Sequence, residues 1–301
     1  MPSVHEPVLL HEIVENFTSF NKGVNKVVWY LDGTLGGAGH ALAIAQLFKG
    51  KLGIIGLDQD LEAIKRGKEA LQGKAEKLIL ENENFRNLNK VLEKNDISKV
   101  DLILLDLGIS SDELNNSGRG FTFQKDEPLL MTMGDPVTYP FTAKDIVNSW
   151  EEEVIANIIF GYAEERFARR IAKNIINYRL KKKIETSLEL SEIVRMSVPG
   201  FYKRGKLNPA TKTFQALRIA VNDELNSLKE GLKEGYEHLE EGGRMAVISF
   251  HSLEDRIVKE FYKEKAKDGA LIVTKKPIRP SNEEVAINPR SRSAKLRILE
   301  K

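Results

Sequence analysis

Hydrophobic and polar positions along the chain change rhythm repeatedly. Leu10, Ile13, Val14 and Phe17 follow an i, i+3, i+4, i+7 pattern, which predicts a short amphipathic helix. Near-continuous apolar runs then alternate with helical patterns. Strands are expected at Val27–Asp32, Leu52–Asp58, Lys77–Glu81 and Val100–Leu107, with helices over Leu61–Leu71 and through Phe85–Leu92. Apolar strands alternating with helices predict an α/β fold whose parallel sheet is covered on both faces.

The alternation stops after the fourth strand. The next clear strand is Arg244–Phe250, and 134 residues, Gly108 to Glu241, lie between. One crossover helix needs far fewer. The last part fits a crossover: from Phe214, residues Leu217, Val221, Leu225, Leu228, Leu232, Tyr236 and Leu239 recur every three or four, and Gly242–Gly243 are read as the stop. The rest carries helical patterns such as Ile155, Ile158, Ile159 and Ile171, Ile175, Ile176. A helical domain, 112–206, is therefore expected inside a nucleotide-binding domain built from 1–111 and 207–301. Leu271–Thr274 and Leu296–Leu299 are expected as two final strands, paired as a hairpin.

The chain is organised around Lys26 to His40. An apolar strand ends in Asp32, glycines follow at 33, 36, 37 and 39, and a helix begins near Ala41. Glycine lets a backbone approach a ligand and adopt positive φ. The dinucleotide fingerprint requires a glycine three positions after the second, and Leu42 stands there. An acidic strand end followed by small residues resembles the first motif of S-adenosylmethionine methyltransferases, and that resemblance implies Gly36 and Gly37 against the cofactor and Asp32 facing its amino-acid part. Asp58 ends the second strand 21 residues after Gly37, at the spacing of a ribose-binding carboxylate. It is equally placed to cap the helix near Leu61. Asp106 ends the fourth strand at the same rim. Three carboxylates there point to chemistry, because buried acids are costly without partners.

Composition adds limits. The chain has 301 residues, 41% hydrophobic and 30% charged, with a net charge of +2. It can bury a real core, and any nucleic-acid surface must be local. It contains no cysteine, which excludes thiolate zinc sites, disulfides and a cysteine adduct. The histidines at 5, 11, 40, 238 and 251 show no metal-ligand spacing, so no metal is expected. No apolar run reaches the ~18 residues of a membrane span, and a cytoplasmic protein is expected.

Three segments suit an RNA substrate. In GRGFTF, 118–123, Arg119 can meet phosphate, and Phe121 and Phe123 can stack an unpaired base or pack a domain junction. Residues 199–219 interleave Lys203, Arg204, Lys206, Lys212 and Arg218 with Phe201, Tyr202 and Phe214, as a groove or as a solvated face. Residues 275–301, which include Arg290, hold eight Lys or Arg against three Glu. His251, in SFHSLEDRIVKEF, leaves the fifth strand at the rim and is read as a pocket wall or as a structural histidine. No G-x-S-x-G elbow accompanies Ser252.

The stretches HEPVLLHEIV, DGTLGGAGH, GLDQD, LLDLGISS, GRGFTF, AEERFARRIA, PATKTFQALRI, VISFHSLEDRIVKEF and NPRSRSAKLR together resemble the MraW-type cytosine-N(4) methyltransferases of small-subunit (16S) ribosomal RNA. The resemblance covers nearly the whole chain. It implies a Rossmann-like methyltransferase fold with an inserted helical domain and S-adenosyl-L-methionine as cofactor. The RNA partner is free or held in an assembled small subunit. It implies that Ala38, Gly39 and His40 line the cofactor, that Asp58 takes the ribose, that Phe85 flanks the adenine, and that Asp106 and Glu113 complete the site, where the family usually has Gln at 113. Asp106 is the candidate acceptor for the substrate amino group. Asp106-Leu107-Gly108-Ile109 is not the proline-rich tetrad of many amino-methylating enzymes. The family's P-L-D-M-R-M-D reads Pro128-Leu129-Leu130-Met131-Thr132-Met133-Gly134 here, without its two acids and arginine. Arg290 and Lys212 are the cations that can stand in. The rival expectation is a non-catalytic RNA-binding or assembly protein that retains only cofactor affinity.

Overall fold

The computed structural model describes residues 7–20, 26–205 and 207–301. His5 and Lys206 lie outside them. The chain divides into two compact units, one of residues 1–108 and 225–301, the other of residues 109–224.

The first unit begins with α1 (Leu10–Thr18), β1 (Val27–Asp32), α2 (Gly39–Leu47), β2 (Lys51–Asp58), α3 (Leu61–Leu71), β3 (Lys77–Asn82), a 3-10 turn at Phe85–Asn87, α4 (Leu88–Lys94) and β4 (Val100–Asp106). The second unit holds α5 (Ser111–Asn116), α6 (Ala143–Ser149), α7 (Glu152–Ala163), α8 (Ala168–Arg179), α9 (Ser187–Ser197), α10 (Gly200–Lys203) and α11 (Ala210–Asn222). The chain then returns through α12 (Glu224–His238), β5 (Leu239–Ser249), α13 (Ser252–Lys267), β6 (Leu271–Ile272), α14 (Asn282–Ile287) and β7 (Lys295–Glu300).

The sheet order is β3-β2-β1-β4-β5-β7-β6. β1 to β5 run parallel, and β7 is antiparallel to both β5 and β6. The expected final hairpin is present as β6 and β7, with β7 also pairing β5. The strand order reverses between β1 and β4, so their carboxyl ends open a crevice there. Both faces of the sheet are covered. Leu31, Ile55, Ile103 and Val247 pack with Leu88, Leu228, Leu232 and Val258 on one side. Tyr30, Ile54, Leu104 and Ile248 pack with Ile13, Phe17, Ile44 and Leu71 on the other. Alternate side chains on each strand feed opposite cores, which is why these strands read as unbroken apolar runs.

The second unit is helical around its own core, which includes Ile155, Ile159, Ile171, Ile175, Leu190, Phe214 and Leu217. Three local readings change. The helix expected from Phe214 to Leu239 is two helices, parted at Asp223 in the left-handed region (φ 48°). Residues 207–224, read as part of the returning domain, stand in the second unit because Ala210, Phe214, Leu217 and Val221 fill its core. Gly242 and Gly243 do not stop a helix. They lie inside β5, at the irregular step where Val100 pairs Leu239 and Leu102 pairs Arg244. A Cβ on Gly243 would meet the Asp101 carbonyl oxygen at 2.7 Å.

Candidate active site

The glycine turn is pinned to the neighbouring strands. The Gly33 N–H donates to the Leu104 oxygen of β4 (2.9 Å), and the Leu35 N–H to the Leu57 oxygen of β2 (2.9 Å). Gly36 has φ 51° and Ala38 φ 58°. Each glycine has its own reason. A Cβ on Gly33 would meet Leu105 Cδ2 at 2.5 Å, and one on Gly39 would meet Pro7 Cγ at 2.4 Å. On Gly37 it would meet nothing within 4 Å. The backbone at Gly37 therefore faces open space, as a ligand-approach site requires.

Asp58 ties this turn down. Its Oδ2 accepts from the Gly36 N–H (2.7 Å) and its Oδ1 from the Asp60 N–H (2.8 Å). Burial raises its pKa, and these two bonds oppose the rise. The cap of α3 is Asp60, whose side chain accepts from the Glu62 N–H. Each Asp58 oxygen keeps a second lone pair for a hydroxyl ligand.

At the end of β1, Asp32 is 2% exposed. The Tyr30 hydroxyl donates to Oδ2 (2.8 Å), and the Thr34 N–H to Oδ1 (3.2 Å). Burial pushes its pKa up to about 6, against the lowering by these two bonds. The Thr34 hydroxyl accepts from the Asp106 N–H (2.7 Å), joining the ends of β1 and β4. Burial raises the Asp106 carboxyl well above the usual range, and the charges of Asp32 and Glu254 raise it further. Its Oδ1 is buried without a hydrogen-bond partner, while about a quarter of the side chain (24%) reaches solvent. His40 is buried in α2. Its Nε2 pairs with the Val8 oxygen (3.0 Å), and its Nδ1 lies 3.9 Å from Asp106 Oδ2, too far for a hydrogen bond. Burial lowers its pKa to about 4, so the ring is neutral at pH 7 and its Nε2–H donates to Val8.

Phe85 opens the 3-10 turn after β3 and is 9% exposed, close enough to α12 that a Cβ on Gly231 would meet its ring at 2.4 Å. His251 caps α13, where its Nδ1 accepts from the Glu254 N–H (3.4 Å) and its Nε2 sits 3.1 Å from Glu254 Oε1 in non-bonding geometry. Arg290 is exposed in the turn before β7.

In the second unit, Glu113 closes the capping box of α5 with Ser110, and Arg119 lies 3.8 Å from its carboxylate. Arg119 also donates to the carbonyls of Met133 (2.5 Å) and Gly134 (3.3 Å) and stacks over Phe121. Phe121 is buried, and Phe123 packs edge-on to Phe214 in the same core. Lys212 Nζ donates to the Glu164 carbonyl (3.0 Å).

Sequence reading missed Tyr30 and Thr34. Alternation carried the signal for Tyr30, since residues two apart on a strand share a face and Tyr30 stands two before Asp32. The cluster suits a cationic ligand with hydroxyls. Asp32 and Asp106 pay for desolvation as anions, and an adjacent positive charge relieves that cost. The open glycine backbone, Asp58 and the unbonded Asp106 oxygen fit S-adenosylmethionine, which carries a ribose, an ammonium and a sulfonium.

The fold and this rim define an S-adenosylmethionine-dependent methyltransferase. The chain belongs to the MraW methylase family, whose family model matches residues 2–301. The chain is 46% identical over 316 residues to the ribosomal RNA small subunit methyltransferase H of Acetivibrio thermocellus, covering 99% of this chain and 98% of that protein. Proteins of the same name from Clostridium botulinum and Heliobacterium modesticaldum are 43% and 44% identical, again over 99% of this chain and 98% of theirs. Full-length likeness to methyltransferases favours an enzyme over a non-catalytic binding protein.

Proposed function

We propose that the chain methylates the exocyclic N(4) amino group of a cytosine in small-subunit (16S) ribosomal RNA, with S-adenosyl-L-methionine as donor. The observation that carries the chemistry is Asp106, with one buried and unbonded carboxylate oxygen at the rim and a path to solvent for the rest of the side chain. The bound cofactor supplies an electrophilic methyl group. The chain's residues must do the rest. The cytosine amino lone pair is delocalised into the ring, so an acceptor drawing on the amino hydrogens makes the nitrogen a better nucleophile, provided nitrogen and methyl are held in line at ~3–3.5 Å. Asp106 is that acceptor. It is costly to ionise without the cofactor, and it ionises beside a cation. The amine sheds one proton on methylation, which Asp106 takes and passes to water.

Gly36, Gly37, Ala38, Gly39, His40, Asp58, Phe85 and Glu113 are proposed on the cofactor side. Arg119, Phe123, Lys212, His251 and Arg290 are proposed on the substrate side, whereas Phe121, expected either to stack a base or to pack, is buried in the core of the second unit and takes the packing role. The target base must be unstacked to enter. The finer reading is that the RNA is held in an assembled or partly assembled small subunit, in the cytoplasm. No described helix is long and apolar enough to cross a membrane. The support is two separated basic segments, 199–219 and 275–301.

The test is turnover of labelled cofactor on small subunits from cells lacking this protein, with Asp106→Asn as comparison. Asp106→Asn should lower kcat by about 10²–10⁴ while cofactor still binds. An unchanged kcat overturns the role of Asp106. Equal methylation of free cytidine and of subunits overturns the subunit as substrate.

A further inference from the structure

The turn between α7 and α8, with α10, carries an aromatic and cationic group that the proposed chemistry does not use. The Arg166 guanidinium lies 4.8 Å from the ring centre of Phe167, 5.3 Å from Phe201 and 5.0 Å from Tyr202. Arg166 forms no ion pair with any described residue. Glu165 is fully buried beneath and fixes the arrangement. One of its oxygens accepts from the Phe167 N–H (2.9 Å), the other from the Tyr202 hydroxyl (2.5 Å). That anchors α10 to the start of α8. Burial and Glu165 push the Tyr202 pKa up to about 12, so the hydroxyl stays a donor at any working pH.

Phe201 is left 59% exposed, against a charged guanidinium plane. The Phe167 ring meets it edge-on, 6.5 Å away. Lys203 and Arg204 follow it, both exposed, and Lys212 reaches the same turn through the Glu164 carbonyl with donors to spare. Arg166, Lys203, Arg204 and Lys212 outnumber the local acids Glu164 and Glu165, the second of which is buried. The nearby Glu192 is held by a bidentate pair with Arg195. An exposed ring on a guanidinium, beside cations that form no ion pair with a described residue, is what stacks single-stranded bases and holds their phosphates.

We propose that Phe201, set over Arg166 by the Glu165–Tyr202 bond, is a stacking platform for an unpaired base of the RNA substrate, flanked by Lys203, Arg204 and Lys212 as phosphate contacts. The inference rests on the reading of small-subunit RNA as substrate and adds a second point of attachment on the inserted unit. The site holds RNA and does no chemistry.

The test uses the full chain with Phe201→Leu, Phe201→Ala and Phe201→Trp. Leucine keeps the apolar cover over Phe167 and removes the aromatic plane, so a folding defect cannot imitate its effect. Binding to a single-stranded small-subunit RNA fragment, followed by anisotropy, should weaken ~5- to 150-fold for Leu and Ala, the range of one lost base stack. Tryptophan should bind as the parent does, with indole fluorescence quenched by RNA beyond the parent's response. The KM for RNA should rise for Leu with kcat unchanged, and cofactor affinity should hold. A parent that binds RNA while Phe201→Leu binds equally well overturns this site alone. A parent that neither binds nor methylates small-subunit RNA overturns the substrate reading and this site with it.

Discussion

The Tyr30 hydroxyl donates to Asp32 Oδ2 at 2.8 Å, both groups on one face of β1 and both buried. A donor of this kind favours the carboxylate over the acid, so it offsets part of the burial that pushes Asp32 up to about 6. Its value therefore depends on pH. Asp32 is raised above its unfolded value, so its favourable contribution to stability is full below pH ~4 and is lost as pH rises through about 6. Above that, the ionised form leans on Tyr30. Tyr30→Phe should cost ~1.5–3 kcal/mol at pH 8 and about 1 kcal/mol at pH 4.5, where the carboxyl is neutral. Denaturant unfolding at both values measures this. Equal losses would mean that Asp32 is not the titrating partner.

His40 has the opposite sign. Its folded pKa is lowered to about 4, so its contribution is full above pH ~6.5 and is lost as pH falls through about 4. Between pH 4 and 6 the two groups pull against each other. The expected observation is a proton titration by NMR in which the His40 ring stays neutral down to pH 5. A midpoint near 6.5 would contradict the burial of the ring and its fixed tautomer toward Val8.

Much of this was legible in the sequence for a physical reason. The β1–turn–α2 segment announces itself because a doubly covered strand must be apolar along its length and the turn must be glycine where strands, Pro7 or a ligand come close. The Asp58 spacing was visible, and the identity of the α3 cap was not, since Asp58 and Asp60 both precede Leu61. Tyr30 was hidden because an aromatic residue in an apolar strand reads as core. It is core, and its hydroxyl is what reaches the rim. The break at Asp223 was invisible because Phe214, Leu217, Val221, Leu225 and Leu228 keep helical spacing across it, while Phe214, Leu217 and Val221 feed one core and Leu228 another. A left-handed Asp in place of Gly leaves no punctuation.

Gly37 and Gly39 should separate ligand binding from folding. Gly39→Ala drives a Cβ to 2.4 Å from Pro7, and the overpacking should cost about 1–3 kcal/mol of stability. Gly37→Ala meets nothing, so stability without cofactor should stay within about 0.5 kcal/mol of the parent. Yet the new methyl stands where the backbone faces open space, and S-adenosylmethionine affinity by calorimetry should fall about tenfold or more. Full affinity in Gly37→Ala would move the cofactor off this turn.

Asp58→Ala removes two hydrogen bonds that hold the turn as well as the acceptor for a ribose hydroxyl. Cofactor binding should weaken by about 1–3 kcal/mol. Asp58→Asn keeps one acceptor oxygen and the shape, and should fall between the parent and Asp58→Ala. NAD should not bind the parent measurably, because the dinucleotide fingerprint fails at Leu42. Tight NAD binding, or an affinity for S-adenosylmethionine that ignores both substitutions, would remove Asp58 from the site.

The altered loop after GRGFTF is tied inward. Met131 has φ 60°, and its N–H and that of Leu130 both donate to the Arg119 carbonyl (2.7 and 3.2 Å). Asn222 bridges Met131 and Met133 from α11. Thr132 is fully buried, and its hydroxyl has no partner. Restoring the family's arginine there would bury a guanidinium, so Thr132→Arg should lose about 3 kcal/mol or more, whereas Thr132→Val removes an unsatisfied hydroxyl and should gain up to about 1 kcal/mol. The useful test of the family's missing acids is Leu130→Asp with Gly134→Asp, which leaves Thr132 in place. Arg119 already donates to the Gly134 carbonyl, so a carboxylate at 134 gives it an anionic competitor for RNA phosphate. Cofactor affinity should be unchanged in the double variant, and the KM for RNA should shift. If the KM for RNA stays put while the fold is intact, this loop does not touch the substrate. If Thr132→Arg is as stable as the parent, the loop opens in solution and its buried arrangement is not the one that RNA meets.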